Sequence, residues 1–109
     1  MISAPSALLS DVALYCSQEL GIDFKNVEIH ITECCLKHDR ALGWCYDIIE
    51  NEVDIEVDIN LSDHDQILTL CHEMVHARQA IRGDATFDED EANKLEKELN
   101  YGFLQTTGR

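Results

Sequence analysis

Apolar positions divide this chain into stretches with helical spacing and stretches in which apolar and polar residues alternate. The first helical stretch runs from Pro5 to Leu20, begins near Ser3 or Ser6, and is followed by Gly21. Its apolar residues recur every three or four positions and therefore line one side of a helix. We expect this helix to cover one face of a sheet.

The alternating stretches predict strands, because successive side chains of a strand point to opposite faces. They are Val27 to Thr32, Gly43 to Glu50 and Val53 to Asn60. The last two are separated only by Asn51 and Glu52, which predicts a hairpin. In the final strand the odd positions are apolar and the even positions are acidic or amide. This pattern is typical of a half-buried strand, such as a sheet edge.

A second helix is predicted from Leu61 to Arg82, with Ser62 or Asp63 as its N-cap. A third is predicted from Asp88 to Leu104, where apolar residues again recur at helical spacing. The order of elements predicts an α+β fold: an N-terminal helix, a small three-stranded, mainly antiparallel sheet, and two further helices. With 109 residues, the chain is long enough for one domain, spanning residues 1–109, but not for a separate substrate domain.

The second helix carries the run His72-Glu73-Met74-Val75-His76. Residues four apart lie on one face of a helix, so His72 and His76 can share one metal ion. Glu73 projects beside them, where a carboxylate can take a proton from a metal-bound water. Catalytic zinc usually has three protein ligands, so a further ligand has to come from another part of the chain.

No histidine follows His76, which excludes the families that complete such a site with a third histidine downstream. Carboxylates are the remaining downstream choice, and they cluster where the third helix begins, with Thr86 or Asp88 as its cap. On that helix Glu89 could bind the metal from the first turn, and Asn93 could accept a hydrogen bond from a histidine.

The two motifs HEMVH and EDEAN together resemble the Glu-zincin arrangement, in which HExxH is completed by ExxxD or ExxAN on the next helix. Within that group the chain is most similar to the ImmA/IrrE-like metallopeptidases and their small phage-encoded relatives, over roughly Val53 to Leu99. The resemblance implies a minimal zincin-like domain that binds one zinc ion. It also implies that one of the hairpin strands pairs with an extended substrate.

The resemblance assigns a role to five residues around this ion. They are His72, His76 and Glu89 as ligands, Glu73 as general base, and Asn93 as the residue that orients a histidine. Glu91 is the alternative third ligand. The implied activity is zinc-dependent hydrolysis of a peptide bond in a peptide or protein substrate. Candidates for stabilising the oxyanion are chosen by their chemistry alone and are Tyr46, Tyr101, His64 and Arg78.

Three other functions fit parts of the sequence. A catalytically silent zincin-like module would hold metal and bind a partner protein. A peptide deformylase would take its third ligand from an upstream cysteine, for which Cys34, Cys35 and Cys45 are available. An acidic mimic of nucleic acid is suggested by charge alone.

The chain has 22 acidic and 8 basic residues and a formal net charge of −14. This argues against binding to nucleic acid, which requires clustered Lys and Arg, and favours a basic or polar peptide as partner. Its five cysteines are an odd number, and Met1 to Leu9 lacks the features of a secretory signal. No stretch is apolar enough to span a membrane. We therefore expect a reduced, cytoplasmic protein, and the sequence leaves its oligomeric state open.

Overall fold

A computed structural model describes residues 1–36, 43–49, 51–83 and 88–108. The predicted cap Thr86 and the predicted strand residue Glu50 lie outside these ranges. Along the chain the elements are β1 (Ile2–Ser3), α1 (Ala7–Leu20), β2 (Glu28–Cys34), β3 (Gly43–Ile49), β4 (Glu52–Asp58), α2 (Asp63–Ile81) and α3 (Glu89–Thr107). The α+β class is as predicted.

Each helix begins at a residue whose side chain satisfies a free backbone amide of the first turn. Ser6 accepts from the Leu9 amide at the start of α1, and Ser62 accepts from the Asp65 amide at the start of α2. Helix α1 ends at Gly21, whose positive φ of 72° is easily adopted by a residue without a Cβ. These ends confirm the predicted Ser6, Gly21 and Ser62 signals.

The strands form one sheet in the order β1-β2-β4-β3. β1 and β4 both run parallel to β2, whereas β3 runs antiparallel to β4 as the second strand of the predicted hairpin. The expected three-stranded, mainly antiparallel sheet is therefore wrong: four strands are described, and two of their three pairings are parallel. Strand β1, with two residues, was too short to be recognised from alternation.

The three helices pack together on one face of the sheet. That face is lined by the buried residues Ile29, Ile31, Cys45, Val53, Ile55 and Val57. The residues between them on β2 and β4 are partly or fully exposed, except for Asp58. The acidic residues of β4 therefore belong mainly to the uncovered face, as the alternating pattern predicted.

Helix α2 lies at the centre of the helical layer, between α1 and α3 and against β3 and β4. It is consequently buried on several sides, and its buried residues include polar ones such as Glu73, His76 and Gln79. On the α1 side, the thiols of Cys16 and Cys71 lie 3.7 Å apart. On the α3 side, the fully buried Ala92 allows close approach between the helices. No helix within the described ranges combines the length and the apolar character needed to cross a membrane.

Candidate metal centre

His72 and His76 lie one helical turn apart on α2 and face the start of α3. Their ring centroids are 4.8 Å apart and the ring planes are nearly perpendicular, at 83°. His76 is almost fully buried, whereas His72 is partly exposed. The spacing predicted from the sequence thus gives two imidazoles that converge on one point.

Glu89, the first residue of α3, places its carboxylate against both rings. Its Oε2 is 3.0 Å from Nε2 of His72, and its Oε1 is 2.9 Å from Nε2 of His76. Ligand atoms from these three residues all lie within 4.8 Å of one another. The structure therefore brings together the two histidines and the carboxylate that the sequence pointed to.

The donor set fits a divalent transition metal. Two neutral imidazoles and one carboxylate match the three protein ligands of a catalytic zinc site, with room for a water in the fourth position. In a tetrahedral zinc site the ligand atoms are roughly 3.3 Å apart. Here the Glu89 oxygens are 3.0 and 2.9 Å from the ring nitrogens, and no two ligand atoms are more than 4.8 Å apart, so only small shifts separate the group from a metal-bound one. The Glu89 side chain is 64% exposed, which leaves it free to adjust. Manganese, cobalt and nickel accept the same donors, so the chemistry does not select one ion.

Each imidazole also has an acceptor near its outer nitrogen, Nδ1. The Nδ1 of His76 is 2.9 Å from Oε1 of Gln79, and the Nδ1 of His72 is 3.5 Å from Oε2 of Glu96. The hydrogen bond to Gln79 keeps the proton of His76 on Nδ1 and leaves its Nε2 able to bind a metal, whereas the approach of Glu96 to His72 is longer than a good hydrogen bond. Asn93, which the sequence suggested for this role, is exposed on α3, and the structure places Gln79 and Glu96 at the rings.

Glu91, the alternative third ligand, points to another part of the interface. Its Oε1 accepts a hydrogen bond of 2.9 Å from Nε2 of Gln79 and lies 3.6 Å from Nη2 of Arg78. It is not part of the group formed by His72, His76 and Glu89. Its contacts join the end of α2 to the first turn of α3.

Glu73 is 6% exposed and lies between the site histidines and β3. Burial raises the pKa of its carboxyl, and the neighbouring His72 and His76 partly oppose that effect. Glu89 and Glu96 add to the increase in the Glu73 pKa through repulsion between like charges. A carboxyl in this environment holds a proton more readily than an exposed one, as a general base that later acts as an acid requires.

Cysteines take no part in the candidate group that the described residues form. The Cys34 thiol donates to Oε2 of Glu56 at 2.8 Å, on a different part of the molecule. Cys16 and Cys71 contact each other in the core between α1 and α2. The third ligand offered to the two histidines is therefore a carboxylate, which disfavours the deformylase alternative.

The other described histidines, His30 and His64, and the oxyanion candidate Tyr101 lie elsewhere, and the side chain of the candidate Tyr46 is outside the described part of the structure. His30 contacts Glu52 at 3.2 Å across the β2–β4 pair. His64 is exposed in the first turn of α2, and Tyr101 is 67% exposed. Neither is described in contact with the site histidines, and Arg78 faces Glu91.

Sequence reasoning missed Gln79 and Glu96, although both have a recognisable spacing. Gln79 follows His76 by three residues, and Glu96 follows Glu89 by seven, so each shares a helix face with a ligand. Only the docking of α3 on α2 selects them over other polar residues on the same faces.

Searches against protein-family models, curated proteins and solved structures find no significant match to this chain.

Proposed function

We propose that this protein is a zinc-dependent metallopeptidase in which His72, His76 and Glu89 hold one zinc ion. The observation that carries the proposal is the position of the Glu89 carboxylate, within 3.0 Å of the Nε2 atoms of both histidines. A three-residue donor set that spans two helices is more specific than the HExxH motif alone. We also propose that the domain is zincin-like.

Zinc bound at this group would supply a Lewis acid that polarises a peptide carbonyl and lowers the pKa of a water molecule. Glu73 would accept a proton from the attacking water and donate it to the leaving amine. Its burial supports this role because a desolvated carboxylate is a stronger base than one in water.

Strand β3 is the part of the fold best suited to hold an extended substrate. It pairs with β4 along one edge, and it is the last strand in the sheet order. Its Gly43 lies directly against Glu73 and Thr69 of α2. A peptide that pairs with β3 on the side opposite β4, where no other described strand lies, would therefore lie beside the proposed base. The net charge of −14 favours a basic or polar peptide over an acidic one.

None of the five cysteines forms a disulfide in the structure, which supports a cytoplasmic or otherwise reducing location. Two free thiols, Cys16 and Cys71, lie in contact in the core without forming a disulfide.

Zinc binding and peptide hydrolysis have to be measured separately to test this function. Zinc affinity is determined by competition with a chromogenic chelator for the wild type, His76→Ala and Glu89→Ala. Hydrolysis is followed by mass spectrometry on a mixed peptide library with and without zinc. We expect both alanine variants to lose zinc affinity, and Glu73→Gln to bind zinc but to cleave nothing. Glu98→Gln, an exposed change on α3, is the matched control and should behave as wild type.

The two measurements also separate the proposal from its main alternative. A wild type that binds zinc tightly but cleaves no peptide in the library would favour the catalytically silent binding module. A wild type that binds no zinc would contradict both.

A further inference from the structure

Gln79 is a buried residue of α2 whose amide group is fully hydrogen-bonded. It is 2% exposed. Its Oε1 lies 2.9 Å from Nδ1 of His76 and 3.0 Å from the backbone nitrogen of Asp88. Its Nε2 lies 3.1 Å from the backbone oxygen of Asp88 and 2.9 Å from Oε1 of Glu91. Two bonds accepted and two donated use the whole capacity of a carboxamide.

The contacts with Asp88 fix which way this amide points. A backbone N–H can only donate and a backbone carbonyl can only accept, so the Gln79 atom near the Asp88 nitrogen has to be oxygen. The same oxygen faces Nδ1 of His76, which must therefore carry a proton. In the neutral imidazole the proton is then absent from Nε2, the atom that faces Glu89. Gln79 thus selects the tautomer of His76 that can bind a metal.

The same side chain fastens the start of α3. Asp88 is the N-cap of this helix, and its side chain accepts from the Glu91 amide at 3.1 Å. Gln79 binds both backbone groups of Asp88, and Glu89 is the next residue. Gln79 therefore orients His76 and, through the peptide unit that joins Asp88 to Glu89, also fixes the position of Glu89.

We propose that Gln79 is a positioning residue that links the two parts of the metal centre, His76 on α2 and Glu89 on α3. It holds His76 in the Nδ1–H tautomer and holds the first turn of α3 against α2, so that His76 and Glu89 are presented together. The proposal rests on the zinc-binding part of the proposed function, and it assigns Gln79 no contact with the ion or with substrate.

Gln79→Met is the first test, because it keeps the length of the side chain and removes its hydrogen bonds. We expect zinc affinity to fall by roughly ten- to a hundredfold, as is usual when the partner of a histidine ligand is lost. In the metal-free variant, at a pH where imidazole is neutral, His76 should shift toward the Nε2–H tautomer, since the Glu89 carboxylate, 2.9 Å from Nε2, is then the acceptor available to the ring. Two-bond proton–nitrogen NMR correlations distinguish the tautomers.

Gln66→Met is the matched control. Gln66 is also a buried glutamine of α2, but it donates to the Asp58 carbonyl at 3.4 Å, away from the histidines. The same chemical change there should lower the stability of the fold without altering the His76 tautomer or the zinc affinity. A loss of zinc affinity in Gln66→Met equal to that in Gln79→Met would assign the effect to general destabilisation and overturn the proposal.

Gln79→Glu separates the two tasks and remains informative if Gln79→Met does not fold. A carboxylate still accepts from His76 and from the Asp88 amide, but it repels Glu91 and cannot donate to the Asp88 carbonyl. The tautomer should be kept, while amide hydrogen exchange at Glu91 and Ala92 should accelerate. Adding Glu91→Gln restores a donor to residue 79, and exchange should slow again.

Failure of this inference and failure of the proposed function give different results. Zinc affinity and a His76 tautomer that are both unchanged in Gln79→Met would overturn the role of Gln79. Should the wild type bind no zinc, the proposed function fails, but the tautomer and the hydrogen exchange of the metal-free variants still support or refute the positioning role.

Discussion

Gly43 of β3 lies so close to Glu73 of α2 that a Cβ at residue 43 would stand 3.2 Å from Cγ of Glu73. The same Cβ would be 2.8 Å from Cγ2 of Thr69 and 3.0 Å from the backbone oxygen of Glu56. Strand β3 therefore packs directly on Thr69 and Glu73 of the helix, with no side chain of its own at residue 43. A glycine at this position would thus set the distance between the proposed peptide along β3 and the carboxylate of Glu73.

Gly43→Ala should push β3 away from α2. We expect the free energy of unfolding to fall by about 1–3 kcal/mol, the usual cost of overpacking a tight contact, and hydrolysis to fall more than zinc affinity. Urea unfolding and the peptide assay measure these effects. Thr69→Ser removes the nearest methyl group and should partly rescue the alanine variant. Full activity of Gly43→Ala would show that hydrolysis does not depend on the position of β3 against α2.

Glu96 and Asn93 offer a direct comparison on α3. Glu96 lies 3.5 Å from Nδ1 of His72, whereas Asn93 is exposed. Glu96→Ala should weaken zinc binding by roughly tenfold or more, because the histidine loses the acceptor that orients it. Asn93→Ala should leave zinc affinity unchanged. Chelator competition measures both, and the opposite ranking would restore the role that the sequence suggested for Asn93.

The stability of the metal-free protein should depend on pH through Glu73. Burial raises its folded-state pKa above the ordinary value of 4.5, so the protonated carboxyl stabilises the fold. This contribution is complete below pH 4.5 and is lost as the pH rises through the folded-state pKa. Glu73→Gln should therefore unfold at a higher temperature than wild type at pH 7, and the difference should shrink toward pH 4. Thermal scans in the presence of a chelator measure it, and an equal difference at both pH values would contradict this account.

Cys34 should react with alkylating reagents more slowly than an equally exposed cysteine with an ordinary pKa. Its thiol donates to Glu56 at 2.8 Å, and this hydrogen bond, with smaller effects from burial and nearby charges, raises the pKa of Cys34 to about 11. Glu56→Gln removes the negative charge and should raise the rate of alkylation at pH 8.5 by roughly tenfold, because the thiolate is the reactive form. Mass spectrometry of iodoacetamide-treated protein gives the rate, with the exposed Cys35 as internal reference. An unchanged ratio of the two rates would mean that Glu56 does not control the thiol.

The local parts of the structure could be predicted from the sequence because their causes are local. Ser6, Gly21 and Ser62 mark helix ends through the hydrogen bonds or backbone angles of nearby residues. The spacing of His72 and His76 gives convergent rings on any helix. The hairpin of β3 and β4 follows from the short turn at Asn51, which has a positive φ of 62°.

The pairing of the sheet could not be read in the same way. Alternation shows which face of a strand is buried, but it does not identify the neighbouring strand. The parallel contact of β2 with β4 places Ile29 beside Val53 and Ile31 beside Ile55, far apart along the chain. The partners of the histidines were missed for a related reason. Gln79 and Glu96 reach the rings only because α3 docks on α2 at a particular angle.

Strand β4 lies between β2 and β3, although it follows both along the chain. On the ribosome, β3 is therefore complete before the strand that must separate it from β2 has been made. When synthesis has reached only Asn51, the position of β4 between β2 and β3 is still unfilled. Ile29 and Ile31 then lack their neighbours Val53 and Ile55. Cotranslational folding of the sheet thus has to wait for the residues that also lead into the helix with His72 and His76.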